Sequence, residues 1–331
     1  MHAEQLFLSV VVVFHDMLRE APRTLHSLSR AYQRGIEDLA YEVVALDNGS
    51  SEALPAELVT SFGPEFRLET LDLDSPSPVG ALNHGARVAR GEHLMLCIDG
   101  ARILSPGLLR ESVRAMRCAP RAVAATLGLH LGPAPQDVSV QQGYDQDTED
   151  RLLESCHWRE DGYRLFEVAS LGHSSRGGWF QTPWESNALT LSRDFYEELG
   201  GFEERFQSPG GGLANLDLFR RACEHEHSQL VVLLGEASFH QLHGGVATNA
   251  PAGHHPWESF QREYEGIRGE RYERPEVEPL YLGHMPDSAL PLLRSSLEAT
   301  LERSSMGKEL RSLGGVRAVL RRLWPGQHDR A

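Results

Sequence analysis

The sequence predicts an α/β fold, a mostly parallel sheet flanked by helices, and three observations carry that prediction. Continuous apolar, β-branched runs at 8–14 and 41–46 have the pattern of strands buried on both faces. Stretches of helical spacing alternate with such runs, at 21–34 and 79–90. Three strand ends carry polar groups, His15-Asp16, Asp47-Asn48 and Asp99, and open sheets of this kind bind ligands beyond the carboxyl ends of their strands.

Each element rests on its own signal. After the first strand, Leu25, Leu28 and Tyr32 recur at helical spacing. The second strand stops at Asp47-Asn48-Gly49-Ser50, residue types that favour turns and helix caps. A third strand is expected over 67–73, a helix over 79–90 and a fourth strand over 93–98, ended by Asp99. From 131 to 178 the chain turns to Pro, Gly, Gln and Asp, which reads as long loops with an amphipathic stretch near 152–163. Helical spacing returns at 193–199, closed by Gly200-Gly201, and at 216–226. A strand over 230–234 leads into the His-rich run 239–245, and beyond 251 the chain is polar and Pro-interrupted, then helical over 288–304 and 316–323.

Composition bounds the function classes. The chain has 331 residues, 40% of them apolar and 24% charged, and 32 Lys and Arg against 47 Asp and Glu leave a net charge of −15. That charge repels a phosphate backbone and excludes general nucleic-acid binding. Four cysteines, at 97, 118, 156 and 223, are too few and too scattered for a disulfide scaffold and read as buried small hydrophobes in a reducing compartment. No apolar run approaches the roughly 20 residues that cross a bilayer. The run at 6–14 lacks a basic front and a cleavage site. A cytoplasmic location is the expectation.

The strand ending Leu46-Asp47-Asn48-Gly49-Ser50, with a strand some fifty residues on ending Asp99-Gly100-Ala101, resembles the nucleotide-sugar site of family 2 glycosyltransferases of the GT-A fold. The resemblance spans roughly 6–245. It includes Gly80-Ala-Leu-Asn83-His-Gly85, Ala89-Arg-Gly91-Glu92, Pro106 opening a helix and Leu199-Gly200-Gly201-Phe202-Glu203. It implies a GT-A domain over 1–250, with a nucleotide-binding half at 1–130 and an acceptor half at 131–250, and a partly helical C-terminal extension at 251–331.

By that resemblance Phe14, His15, Asp47 and Asn48 lie where the base and ribose bind, and Asn83 lies beside the diphosphate and donor sugar. The same residues admit plain readings: Asp47 as a cap or turn, His15 as a surface loop histidine. Asp99 faces the leaving diphosphate, whose charge a divalent cation usually neutralises through an Asp-x-Asp pair. Ala101 stands where the second carboxylate is usual. The resemblance therefore implies Mn2+ or Mg2+ held by Asp99 with an imidazole from His240 or His243, against the alternative of two surface histidines on a Gly-flanked loop.

The base is the second departure. Inverting members carry an acidic pair near the head of a late helix, and here Ala214 and Asn215 stand there, followed by Leu216 and Asp217. An amide cannot accept a proton, so Asp217 or Glu185 is expected to deprotonate the acceptor hydroxyl. Asp217 also suits a helix N-terminus structurally. The Asn-Leu-Asp-Leu run is similar to a segment of retaining N-acetylgalactosaminyltransferases as well. Trp179, Phe180 and Trp184 near Glu185 suit the apolar face of a sugar or an ordinary core.

Residues 303–331 hold seven Lys and Arg against two acids, with Val316, Val319, Leu320, Leu323 and Trp324 at near-helical spacing. Two readings stand, peripheral docking on an anionic membrane and packing on the chain's own domain. The function expected is transfer of a sugar from a nucleotide-sugar to a saccharide, lipid-linked or other hydroxyl acceptor, with inversion, in surface polysaccharide biosynthesis. A non-catalytic nucleotide- or glycan-binding relative and a retaining enzyme are the alternatives.

Overall fold

The computed structural model describes residues 7–73, 75–245 and 256–303. In chain order the strands are β1 (Leu8–Phe14), β2 (Tyr41–Asn48), β3 (Phe66–Leu71), β4 (His93–Cys97), β5 (Arg102–Leu104), β6 (Ala122–Leu131), β7 (Ala169–Leu171), β8 (Leu189–Ser192), β9 (Gln229–His240) and β10 (Leu280–Gly283). The helices are α1 (Ala21–Ser27), α2 (Ala56–Thr60), α3 (Val79–Val88), α4 (Leu108–Met116), α5 (Gln136–Gln141), α6 (Gln146–Ser155), α7 (Arg193–Glu198), α8 (Ala214–Glu224), α9 (Trp257–Arg268) and α10 (Leu290–Arg303).

The strands join one sheet in the order β10-β9-β6-β8-β4-β1-β2-β3, with β5 on β9 and β7 on β6. The β4-β1-β2-β3 block is parallel. So are β6-β9 and β9-β10. β8 runs antiparallel between the two blocks, and β5 and β7 are antiparallel additions. Every residue of β1 and β2 is buried, as their uninterrupted apolar runs require. Covering each such Val or Leu side chain contributes about 1.5–3 kcal/mol of transfer free energy, and the sheet is covered on both sides by separate apolar clusters.

Close approach is bought at two glycines. A Cβ on Gly85 of α3 would lie 2.5 Å from Val11 and 2.6 Å from Leu46, so the bare backbone lets this helix sit on β1 and β2. One on Gly100 would lie 2.4 Å from the Phe14 ring. Asp99 is thereby held against the end of β1.

The differences from expectation have physical causes. The helix expected over 21–34 stops at Ser27. Ser27 and Ser29 hydroxyls donate to the carbonyls of Thr24 and His26, competing with the helical ladder. The stretch 131–178 is more regular than expected: it holds α5, α6 and β7 with 3-10 turns over Gly162–Val168 and His173–Ser175, and α6 starts where Asp145 accepts from the Thr148 N–H. The strand expected over 230–234 extends through His240. The Pro-interrupted region holds α9, and β10 joins the sheet beside β9. Cys97, Cys156 and Cys223 are buried free thiols, but Cys118 is exposed at the end of α4. Among the described residues no helix is long and apolar enough to cross a membrane. The expected 316–323 helix and nearly all of the basic segment lie outside the described residues.

Candidate active site

The sheet brings residues far apart in sequence to one edge. β4 ends at Cys97, two residues before Asp99. In the β5-β9 and β6-β9 ladders, Arg102 and His130 both stand opposite His240. β8 pairs Leu189 with Leu96, so the segment 185–188 feeding β8 enters at the edge where β4 ends.

Asp99, His240 and His243 converge there, each offering one ligand atom, with all of those atoms within 4.8 Å of one another. His240 Nε2 lies 3.0 Å from Asp99 Oδ2, and His243 Nε2 lies 3.6 Å from Oδ1. The two imidazole Nε2 atoms are 3.1 Å apart. Asp99 Oδ2 also accepts from Arg102 Nε at 3.0 Å, and Oδ1 from the Ala101 N–H at 2.9 Å. Burial alone pushes the Asp99 carboxyl up, yet His240, His243 and Arg102 together hold it well below the usual range. Burial, reinforced by Arg102, pushes the His240 imidazole down to about 4, against the opposing pull of Asp99.

These residues fit a divalent cation: an ionised carboxylate and neutral imidazole are the forms that ligate. Ala101 is fully buried and supplies no second carboxylate.

The expected nucleotide residues divide. His15, Asn48, Gly49, Asp72, Leu73, Ser75 and Pro76 line a cleft of about 490 Å³ beside the ends of β2 and β3. His15 Nδ1 lies 2.8 Å from the Asn48 carbonyl, and the Asn48 side chain accepts from the Leu73 N–H at 3.3 Å. Asp16 Oδ1 accepts from both the N–H and hydroxyl of Ser51, latching the first strand end to the second and lowering the Asp16 carboxyl below its usual value. Asp47 is 1% exposed: Oδ2 accepts from the Leu54 N–H at 2.5 Å, and Oδ1 is buried without a partner. Phe14 is fully buried among core side chains and does not line the cleft. Asn83 is engaged by Tyr196, Phe202 and Glu204, tying α3 to the Gly200-Gly201 turn.

The two base candidates sit differently. Asp217 is fully buried in α8; Arg221 Nε donates to Oδ2 at 2.8 Å, and Arg268 donates to Oδ1 at 2.7 Å and to Oδ2 at 2.8 Å. Both oxygens are occupied by guanidinium groups. Glu185 is half-buried and accepts from Asn215 Nδ2 at 2.8 Å through Oε2. Trp179 is fully buried in the core, whereas Trp184 is half-buried and packs edge-on to Trp257, with its ring tilted against Tyr272.

Sequence reasoning missed Arg102, His130 and Gln136. Arg102 stands three residues after Asp99, the one local signal among them; the other two reach the site only through the β6-β9 register and the fold of α5.

Residues 9–169 match the family model Glycosyl transferase family 2. That segment carries β1 to β6 and Asp99; the match ends before the 245 expected from the sequence, and His240 and His243 lie outside it. The chain is 27% identical over 227 residues to validoxylamine A glucosyltransferase of Streptomyces hygroscopicus subsp. jinggangensis strain 5008. The alignment takes in 62% of this chain and 49% of that protein, so the chain spans about half the length of this curated relative. Among solved structures, S. aureus TarS 1-349 is similar with a TM-score of 0.45 at 13% identity, covering 90% of this chain and 73% of that one. GalNAc-T7 with UDP, GalNAc and Mn2+ is similar with a TM-score of 0.44 at 16% identity, covering 71% and 42%.

Proposed function

We propose that this protein is a glycosyltransferase that moves a sugar from a nucleotide-sugar donor to a hydroxyl acceptor, a saccharide or lipid-linked glycan in surface polysaccharide assembly, with inversion at the anomeric carbon. The reading is supported most by the convergence of Asp99, His240 and His243 at the carboxyl edge of the sheet, next to a segment of family 2 sequence. Residues 1–250 form the catalytic domain in this reading and 251–331 its extension.

The chain's own groups divide the work. The cleft walled by His15, Asn48 and Asp72 takes the base and ribose, and Asp47 shapes it from behind. Asp99, His240 and His243 would hold Mn2+ or Mg2+, which when bound supplies positive charge to the departing diphosphate. Glu185, with Oε1 free of the Asn215 bond, accepts the proton of the acceptor hydroxyl. Asp217, held by Arg221 and Arg268, fastens α9 to α8.

Thermal shift with a panel of nucleoside diphosphates and their sugars, with and without Mn2+, tests this, because a ligand that binds the native state raises Tm by mass action. A Mn2+-dependent rise with one nucleotide is expected. In Asp99→Asn the donor affinity and turnover should fall at least about tenfold, on the order of 1.4 kcal/mol. A flat panel would sink the donor reading and favour glycan binding without transfer.

A further inference from the structure

His240 is gripped from behind by a residue with no place in the chemistry so far. Gln136, fully buried at the start of α5, donates from Nε2 to the His240 carbonyl at 3.0 Å. A carbonyl oxygen can only accept, so the amide sits one way round. Its Oε1 then faces His240 Nδ1, at 2.5 Å. An amide oxygen can only accept too, so the Nδ1 atom carries a proton, and in the neutral ring, the form that ligates a metal, the lone pair is then on Nε2.

That lone pair points at Asp99 Oδ2, 3.0 Å away, and at His243 Nε2. Two acceptors facing each other at this distance repel unless a proton or a metal cation lies between them, so the two compete for this gap. Gln136 is itself pinned: its backbone N–H donates to His130 Nδ1 at 2.8 Å, and His130 stands opposite His240 in the β6-β9 ladder.

We propose that Gln136 is a positioning residue that locks His240 in its Nδ1–H tautomer and so aims an unprotonated Nε2 at a divalent cation shared with Asp99 and His243. The inference rests on the cation reading above. Without the lock, a proton on Nε2 would bond Asp99 and compete with the metal. Outer contacts of this kind are worth about 10–100-fold in metal affinity.

The test is calorimetric titration of Mn2+ into wild type, Gln136→Leu and Gln136→Glu in the presence of a nucleoside diphosphate, with nitrogen-15 histidine NMR of the metal-free proteins. Gln136→Leu should lose about 10–100-fold in Mn2+ affinity and move the His240 signals to the Nε2–H pattern. Gln136→Glu keeps an acceptor at Nδ1 and should hold both the Nδ1–H pattern and an affinity within about threefold of wild type. Wild-type Mn2+ binding with equal affinity in Gln136→Leu overturns this proposal alone, as does an Nε2–H pattern in the wild type. Failure of the wild type to bind Mn2+ overturns the cation reading along with it. If the leucine variant does not fold, a tenfold loss in a folded Gln136→Glu overturns the lock.

Discussion

Asp99 and Asp217 are both carboxylates held in ion pairs, and the pairs differ in the kind of partner each meets. Asp217 meets two guanidiniums, each within 2.8 Å, and has no oxygen left to offer. Asp99 meets one guanidinium and two imidazoles. A guanidinium is always charged and brings its own donors. A neutral imidazole with a bare nitrogen brings a ligand instead. Charge alone therefore does not mark a functional carboxylate; what decides is whether its neighbours complete it or leave it to be completed.

The largest expected effect tests which carboxylate takes the acceptor proton. Glu185→Gln keeps the shape and the Asn215 contact but cannot take a proton, so kcat should fall by about 10²–10⁴-fold while donor Kd stays near wild type. Initial rates and calorimetry with the donor check both halves. Retained transfer within a few-fold would break the assignment, and a product with retained configuration would then point to the leaving diphosphate as the group that assists the hydroxyl.

Asp217→Asn sharpens the comparison from the other side. Removing one partner from a buried ion pair costs about 3–5 kcal/mol. Arg221 and Arg268 keep 23% and 25% of their side chains exposed, so the loss should fall toward the low end. Urea unfolding should show it, while kcat/KM of the folded fraction stays within a few-fold. A stable but inactive variant would move Asp217 from fastener to catalyst.

How legible this was depends on whether a residue's neighbours are near in sequence. β1 was readable because Leu-Ser-Val-Val-Val-Val-Phe is continuous and buried throughout. β8 has only four residues and no signal of its own, yet it joins the two parallel blocks. β6 is diluted by alanines and a glycine, so its strand pattern is weak although all ten residues are buried. Asp99 and the His240–His243 pair stood out as a strand-end acid and a Gly-flanked histidine run. Their meeting depends on β9 running six residues beyond the expected end, past the Gly235 turn of backbone at φ +73°. The Arg268 partner of Asp217 was hidden in a helix that the Pro-rich surroundings disguised.

The smallest expected effect concerns a third carboxylate, one that faces hydroxyls. Glu236 is fully buried on β9 and accepts from Ser105 Oγ at 2.5 Å and from the Tyr163 hydroxyl at 2.7 Å. Burial pushes its carboxyl up to about 7, outweighing both hydrogen bonds; nearby Glu111 adds to the rise and Arg110 opposes it. The unfolded chain releases this proton near 4.5, so between about 4.5 and 7 the native state binds more protons than the unfolded state. Stability must then fall as pH rises through that window and level off above it. Glu236→Gln removes the ionisation while keeping an acceptor and a donor for the two hydroxyls. Relative to wild type, the variant should gain on the order of 1–2 kcal/mol between pH 5 and pH 7.5, read as the change in the difference between their Tm values. Glu149 is raised to about 7 by burial as well, so the wild-type slope should be reduced by the substitution and not abolished. An unchanged Tm difference at the two pH values would mean that Glu236 ionises freely, and that hydroxyls complete a buried carboxylate as well as the guanidiniums of Arg221 and Arg268 do.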